Sequence, residues 1–541
     1  MKKTNILFSL FFLNFCYSQD SLRGSLNENR SWWNVLKYTI EITPFIESRT
    51  ISGKNTISYS SIETEKKELQ PIKKMQIDLQ YPMQIDSVIF KNNALKFYKY
   101  KNVYHIENAP TGQNEIVIYF SGKPKPATNA PWNGGWVWEK DKKNRPFISV
   151  ACQGLGASVW YPCKDHQSDE PDQGASITIH CPKGLTAISN GKLINLDTTK
   201  QLSSFTWNVS NPINNYNIVP TIGNFVHWQE TFDGEKGKLP LDFWVLDYEL
   251  EKARKQFSQT KKMLTCFENW FGPYPFYEDG YKIVQTPFLG MEHQSAIAYG
   301  NNFKNGYLGT DLSRTGWGLD WDYILIHESG HEWFGNNITA SDIADMWIHE
   351  GFTTYSEVLF VEYLHGEKAG NQYMKGLMKN IDNDINITGE YGINSQGSGD
   401  MYSKGAALVH MIRQLINDDK KFKKLLRTLN STFEKKTISS ATLETFISEF
   451  TGINFCFIFE QYLRTTKIPV LELKFTNQEI SYKWTNCSVN FDMPLPISKN
   501  NWIYPTTTWK KGQKKISFNY ATNFLFTLKK VSKINPSLIN Y

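Results

Sequence analysis

Residues 321–357 read WDYILIHESGHEWFGNNITASDIADMWIHEGFTTYSE, and the pentapeptide His327-Glu328-Ser329-Gly330-His331 lies in its apolar first half. The apolar spacing predicts a helix over 320–334, which puts His327 and His331 at i and i+4 with both imidazoles on one face. That spacing suits two neutral ring nitrogens gripping one zinc ion, with Glu328 directed to the space beside it. Catalytic zinc commonly takes three protein ligands and leaves a fourth position to water. Glu350 is the candidate third ligand, on a second predicted helix over 344–365. Gly335-Asn336-Asn337 supplies the stop between the two, because Gly and Asn tolerate left-handed backbone. A helical histidine is often only a satisfied core residue. Here the stop behind the pair and the carboxylate ahead weigh for a metal site holding one zinc per chain.

His327-Glu328-x-x-His331, then eighteen residues, then Glu350 resembles the gluzincin aminopeptidases of the aminopeptidase N and leukotriene hydrolase type. Trp333-Phe334-Gly335-Asn336 and Trp347-Ile348-His349-Glu350-Gly351-Phe352 are similar to that family's flanking residues, except that the family commonly has Asn where His349 stands. The resemblance implies an α+β multidomain fold. It would have a saddle-like N-terminal β-sheet domain, a thermolysin-like, mainly helical zinc domain and a short C-terminal β-sandwich. It also implies further site residues. Gly290-Met291-Glu292 resembles the family's Gly-x-Met-Glu-Asn edge strand, whose Glu binds the substrate's α-amine, although Leu289 and His293 replace the flanking Gly and Asn. Gln153, ten residues before Cys163 of Trp160-Tyr161-Pro162-Cys163, stands where the family has a Gln or Glu that helps hold the amino terminus. Tyr402-Ser403-Lys404-Gly405 resembles the family's Tyr-x-Lys-Gly helix, whose tyrosine stabilises an oxyanion.

Working outward, the chain of 541 residues is long enough for two to four domains. Its 40% hydrophobic and 14% aromatic content can fill sizeable cores. A net charge of +6 is thinly spread, with no basic block or basic-aromatic stripe, which gives a nucleic-acid partner little support. Met1–Ser18 has a short basic start, an apolar centre and a small residue at its end, the pattern of a signal peptide. Phe15 ahead of Cys16 argues against lipid anchoring there, and no later segment approaches the ~20 apolar residues of a membrane span. The expected mature chain is exported, periplasmic or extracellular, and monomeric. Its six cysteines include no Cys-x-x-Cys, so no thiolate zinc site and no disulfide framework is expected.

Residues 19–230 read as β, with short alternating runs at 38–42, 88–90, 115–120, 176–180 and 205–209. The period then changes. A helix over 251–271 closed by Gly272-Pro273, the zinc-motif helices and further helices to about Thr465 predict a catalytic domain over 231–466. Alternation resumes from Pro469, predicting a small sandwich over 467–541.

Three function classes stay open at this level. The resemblance implies an aminopeptidase, in which zinc on His327, His331 and Glu350 activates water, Glu328 moves its proton and Tyr402 stabilises the oxyanion. Glu292 and Gln153, beside Gly290 and Met291, would hold the amino terminus of a peptide substrate. A zinc hydrolase of other specificity, endopeptidase or epoxide hydrolase, shares the same metal chemistry. A non-catalytic peptide-binding relative is disfavoured because Glu328 and Tyr402 are both present.

Overall fold

The computed structural model describes residues 24–62, 72–476, 479–498, 500–513, 516–519, 521–531 and 539–540. The signal-peptide pattern of 1–18, with Cys16, lies outside the described residues.

The N-terminal half is built on an eight-stranded sheet centred on the strand Trp33–Phe45, which pairs antiparallel with Thr50–Ser61 and parallel with Ala175–Pro182. All five alternating runs lie in strands of this one sheet. The apolar alternation of the central strand slips from odd positions (Trp33, Val35) to even ones (Tyr38, Ile40, Ile42), yet all five side chains are buried. A register shift between Val35 and Lys37 reconciles the two, because one extra residue in a bulge returns the next side chain to the core face. A four-stranded sheet (Thr186–Ile188, Thr221–Gly223, Pro146–Ala151, Gly135–Lys140) lies beside it, and its strand Pro146–Ala151 leads directly into Gln153.

A five-stranded sheet follows, starting from the hairpin Phe225–Gly234 and Gly237–Leu246. The expected division at residue 230 falls inside the first of these strands, whose Trp228 and Phe232 belong to the core of the helical half. Periodicity alone could not assign that strand, since a hairpin reads the same in either domain. The sheet's edge is the two-residue strand Gly290–Met291, and Glu292 stands at its end.

The helix expected over 251–271 is two helices, Leu250–Phe257 and Thr260–Phe271. At the break the Ser258 hydroxyl donates to the Lys255 carbonyl (2.7 Å), a local bond that competes with helix continuation. The break turns Gln256 and Gln259 toward the next helix: Gln256 Nε2 donates to Asp322 Oδ2 (2.7 Å), and Gln259 Oε1 accepts from the Asp322 N–H (3.0 Å). Asp322 in turn caps the zinc-motif helix by accepting from the Leu325 N–H at 3.1 Å.

That motif helix runs only Tyr323–Gly330, shorter than the expected 320–334. Beyond Gly330 the hydrogen bonds stop being regular: Trp333 N–H reaches back to Gly330 (3.1 Å), while Asn336, Asn337 and Ile338 donate five residues back, to His331, Glu332 and Trp333. Gly335, at φ +128, makes this widened turn feasible. The return helix, Trp347–His365, is preceded by a single turn of 3₁₀ helix at Ile343–Asp345 and is buried through Val361. The helix Ser403–Ile416 crosses it, with Tyr402 at its N-cap. The helices Asp419–Thr432, Ser440–Thr451 and Cys456–Leu463 complete the lobe.

From Val470 a four-stranded sheet (Lys510–Gln513, Ile480–Thr485, Val470–Phe475, Thr527–Lys530) and shorter strand pairs follow. Leu471, Leu473, Trp484 and Phe491 share one core with the helical lobe, so this β unit buries its inner face against that lobe. The six described cysteines are free. No helix among the described residues is long and apolar enough to cross a membrane.

Candidate active site

The motif helix and the return helix bring the ligand atoms of His327, His331 and Glu350 within 4.8 Å of one another. Glu350 Oε2 lies 3.5 Å from His327 Nε2 and 3.3 Å from His331 Nε2. That oxygen is buried and makes no hydrogen bond of ordinary geometry. Zinc bonds of about 2.0–2.1 Å in a tetrahedron give ligand–ligand edges of about 3.3–3.4 Å, so the observed separations suit one zinc held by these three residues. An orphaned buried carboxylate oxygen facing two imidazole nitrogens is what such a site requires when its ion is left out of account.

The far ring nitrogens point to the same conclusion. His331 Nδ1 lies 3.0 Å from the Phe334 carbonyl and 3.1 Å from Thr353 Oγ1. A carbonyl can only accept, so the proton sits on Nδ1 and Nε2 keeps its lone pair for a metal. His327 Nδ1 donates to Glu357 Oε1 (2.7 Å), whose other oxygen accepts from the Tyr373 hydroxyl (2.7 Å). Glu350 and Glu357 are seven residues apart on one helix, so they share a face. That spacing was readable in the sequence, but nothing there distinguished Glu357 from a core-facing carboxylate.

The charges of the group are interdependent. Despite burial, Glu350 raises the pKa of His331, and Glu350 with Glu357 raises that of His327, so the carboxylates favour a positive charge, proton or metal ion, at the two Nε2 atoms. The two imidazoles hold the Glu350 carboxyl well below its usual range. Glu328 is 8% exposed. Burial pushes its carboxyl up to about 7, with Glu292 and Glu350 adding and both histidines opposing. The clearance for this carboxylate comes from Gly290: a Cβ there would lie 2.9 Å from Glu328 Oε1 and 2.7 Å from Ile324 Cγ2.

Glu292, Glu328 and His331 form a second set with ligand atoms within 4.8 Å of one another. Glu292 is 2% exposed, and its Oε1 accepts from Gln153 Nε2 and from the Tyr216 hydroxyl (3.0 Å). Its main-chain carbonyl accepts from Asn336 Nδ2 (2.9 Å), tying the edge strand to the turn after the motif helix. Burial raises the Glu292 pKa, with Glu350 adding and His331 opposing. Tyr216 and Asn336 were not anticipated as site residues; both act through pairings between distant segments, which no local pattern encodes. His293, next to Glu292, is buried and neutral, its pKa pulled down to about 3 by burial.

Tyr402 enters from the helix crossing. Gly351 of the return helix and Gly405 meet back to back: a Cβ at Gly405 would lie 2.9 Å from the Gly351 Cα. This contact draws Tyr402 over the metal group, its ring stacked on His327 with centroids 5.9 Å apart. The residue is 37% exposed, open to the cleft on one side. Burial of the rest, and then the charges of Glu350, Glu292 and Glu328, push its hydroxyl pKa well above the usual value, so it is protonated and able to donate.

The site therefore gathers three atoms placed to ligate a metal, the buried Glu328 carboxyl beside them, a protonated phenol and a second carboxylate fixed by Gln153 and Tyr216. The Peptidase family M1 domain matches residues 255–462. The chain is 24% identical to a leukotriene A-4 hydrolase of Xenopus laevis over 62% of its own length and 55% of that protein's. It is 25% identical to an aminopeptidase B of Mus musculus over 57% of its length and 46% of that protein's. It thus spans about half the length of the curated relatives it matches. Among solved structures, an M1 zinc metallopeptidase mutant from Deinococcus radiodurans, bound to a Tyr-Ser-Ala substrate, superposes with a TM-score of 0.65 at 17% identity. That match covers 82% of this chain and 96% of the other. A two-domain M1 zinc metallopeptidase mutant bound to L-tryptophan gives a TM-score of 0.64 at 18% identity, covering 78% and 94%. The span over which the chain is similar to the Peptidase family M1 domain, residues 255–462, holds Glu292, both motif helices and Tyr402.

Proposed function

We propose that this protein is a zinc-dependent aminopeptidase that hydrolyses the first peptide bond of peptides. The observation that carries the reading is Glu292. A buried carboxylate fixed by Gln153 and Tyr216, whose ligand atom is within 4.8 Å of those of His331 and Glu328, would pair with a substrate's α-ammonium beside the metal group. An ammonium held there leaves only the first carbonyl in reach of the reacting water. Zinc, when bound by His327, His331 and Glu350, supplies a Lewis acid for the carbonyl and lowers the pKa of water. Glu328 accepts the proton of the attacking water on its carboxylate and delivers it to the departing amine nitrogen. Tyr402 donates its hydroxyl hydrogen bond to the oxyanion as it forms. Related M1 enzymes bound to a peptide and to a free amino acid support the substrate class.

Glu292→Ala should lower kcat/KM for aminoacyl-arylamides by about 10²-fold or more and leave N-acetylated analogues nearly unchanged. Equal losses on both, or efficient cleavage of N-acetylated peptides by the unmutated protein, would return the reading to an endopeptidase. We further propose that the chain is exported by the 1–18 leader and acts as a monomer; the mass of the secreted product and its sedimentation test both.

A further inference from the structure

Positive charge gathers on one face of a single helix. On Asp419–Thr432, Lys420, Lys423, Lys424 and Arg427 recur at i, i+3, i+4 and i+7, so all four share one face. Phe422, Leu425, Leu426 and Leu429 are buried on the other. The cationic face lines a cleft of about 550 Å³, opposite Phe271 and Pro273, with Lys236 on its rim and Asn337 among its walls. Like charges three and four residues apart repel along a helix, and no acid interleaves them on this face.

Nearby carboxylates are already committed. Asp418 caps the helix through the Lys420 and Lys421 N–H groups, and Asp419 makes two bonds to Arg413 (2.7 and 2.8 Å). Glu235 pairs with Arg427 (2.6 and 3.0 Å), and Glu434 lies 3.4 Å from Lys236. Lys423 donates to the neutral amide of Asn269. Among the described residues, Lys420 and Lys424 have no carboxylate partner for their ammonium groups. Five cations line the cleft, against Glu434 in its wall and Glu235 at Arg427. None of these residues belongs to the metal group.

We propose that this cleft is a binding site for a compact polyanion, a ligand carrying several phosphate-type oxyanions, separate from the peptidase site. Lysine ammoniums are mobile point charges suited to phosphate oxygens, and three of them on one helical face can engage adjoining groups of one ligand. The cleft's size fits a di- or triphosphate-bearing molecule rather than an extended polymer. The same chemistry could come from a free phosphate compound or from lipid headgroups; the cleft shape favours the free compound.

The test is calorimetric titration of the zinc-loaded mature chain with inorganic tripolyphosphate. One saturable site is expected, weakening steeply with salt and weaker for orthophosphate. The double variant Lys420→Ala, Lys424→Ala should lose at least about tenfold in affinity while keeping its peptidase activity. The variant Lys96→Ala, Lys99→Ala, exposed lysines before and within the edge strand Phe97–Tyr100, should bind as the parent does. No saturable binding, or binding insensitive to Lys420 and Lys424, would overturn the proposal. So would co-sedimentation with phosphatidylserine vesicles in the absence of any tripolyphosphate heat, which would make the face a membrane contact instead.

Discussion

Glu328 stands outside the His327, His331 and Glu350 set, and its carboxyl is buried between the two histidines and two other carboxylates. A group so placed can move a proton without binding the metal, because His327, His331 and Glu350 already fill three positions. Glu328→Gln should keep one zinc per chain and lower kcat by about 10²–10⁴-fold; an active variant would put the general base elsewhere. Glu357 acts one layer further out, fixing His327 through Nδ1. Glu357→Gln should therefore weaken zinc affinity by about 10–100-fold, measured by chelator competition, with the purified fold intact by circular dichroism. An unchanged affinity would mean that Tyr323, whose hydroxyl lies 3.3 Å from the same nitrogen, orients the ring alone.

At the level of elements, the site depends on two close approaches. Gly290 leaves room for Glu328 and Ile324, and the Gly351–Gly405 contact sets how near Tyr402 comes to the metal group. Neither Gly351 nor Gly405 has a positive φ, so what each contributes is space, not backbone freedom. Gly405→Ala should push the crossing helices apart and withdraw the phenol. Its kcat should fall in the same direction as that of Tyr402→Phe, for which about 10²–10³-fold is expected, with zinc content unchanged in both. If the effect runs through Tyr402, adding Gly405→Ala to Tyr402→Phe should cost little more; full additivity would point to a different cause.

Across the whole molecule, the N-terminal sheets meet the catalytic lobe along a polar seam close behind the site. Asn214 Nδ2 donates to the Gly335 carbonyl (2.9 Å), Asn217 Nδ2 to Asn336 Oδ1 (2.6 Å) and Lys282 Nζ to the Gly191 carbonyl (2.6 Å). Glu170 is buried in this seam beside Thr339, one of its oxygens unpartnered. Burial pushes its carboxyl up to about 7 from 4.5, with Asp169 adding and Thr339 opposing. A carboxyl with a raised folded pKa binds its proton more tightly when folded. Its contribution is greatest below the unfolded pKa and is lost as pH rises from about 4.5 to about 7, amounting to about 3 kcal/mol. Glu170→Gln should flatten that decline in denaturant-measured stability; an unchanged profile would show that the carboxylate stays ionised in the fold.

The zinc motif, its Glu350 return and the helical lobe were legible in the chain, because i, i+4 spacing, a Gly-Asn stop and helical period are local properties of sequence. The alternating runs likewise announced the strands of the large sheet. What the chain alone could not supply was which strand edges meet and which faces touch. Glu292 and Gln153 entered the reading of the chain only through the resemblance; that they meet, with Tyr216 from a third segment and beside the turn after His331, was decided by packing. The motif helix ended four residues before its pattern did, since the turn at Gly335 had to widen to give His331 its carbonyl partner. Local chemistry is written in neighbouring residues; the pairing of buried carboxylates with distant donors is decided by packing, where the cost of an unpartnered charge selects the arrangement.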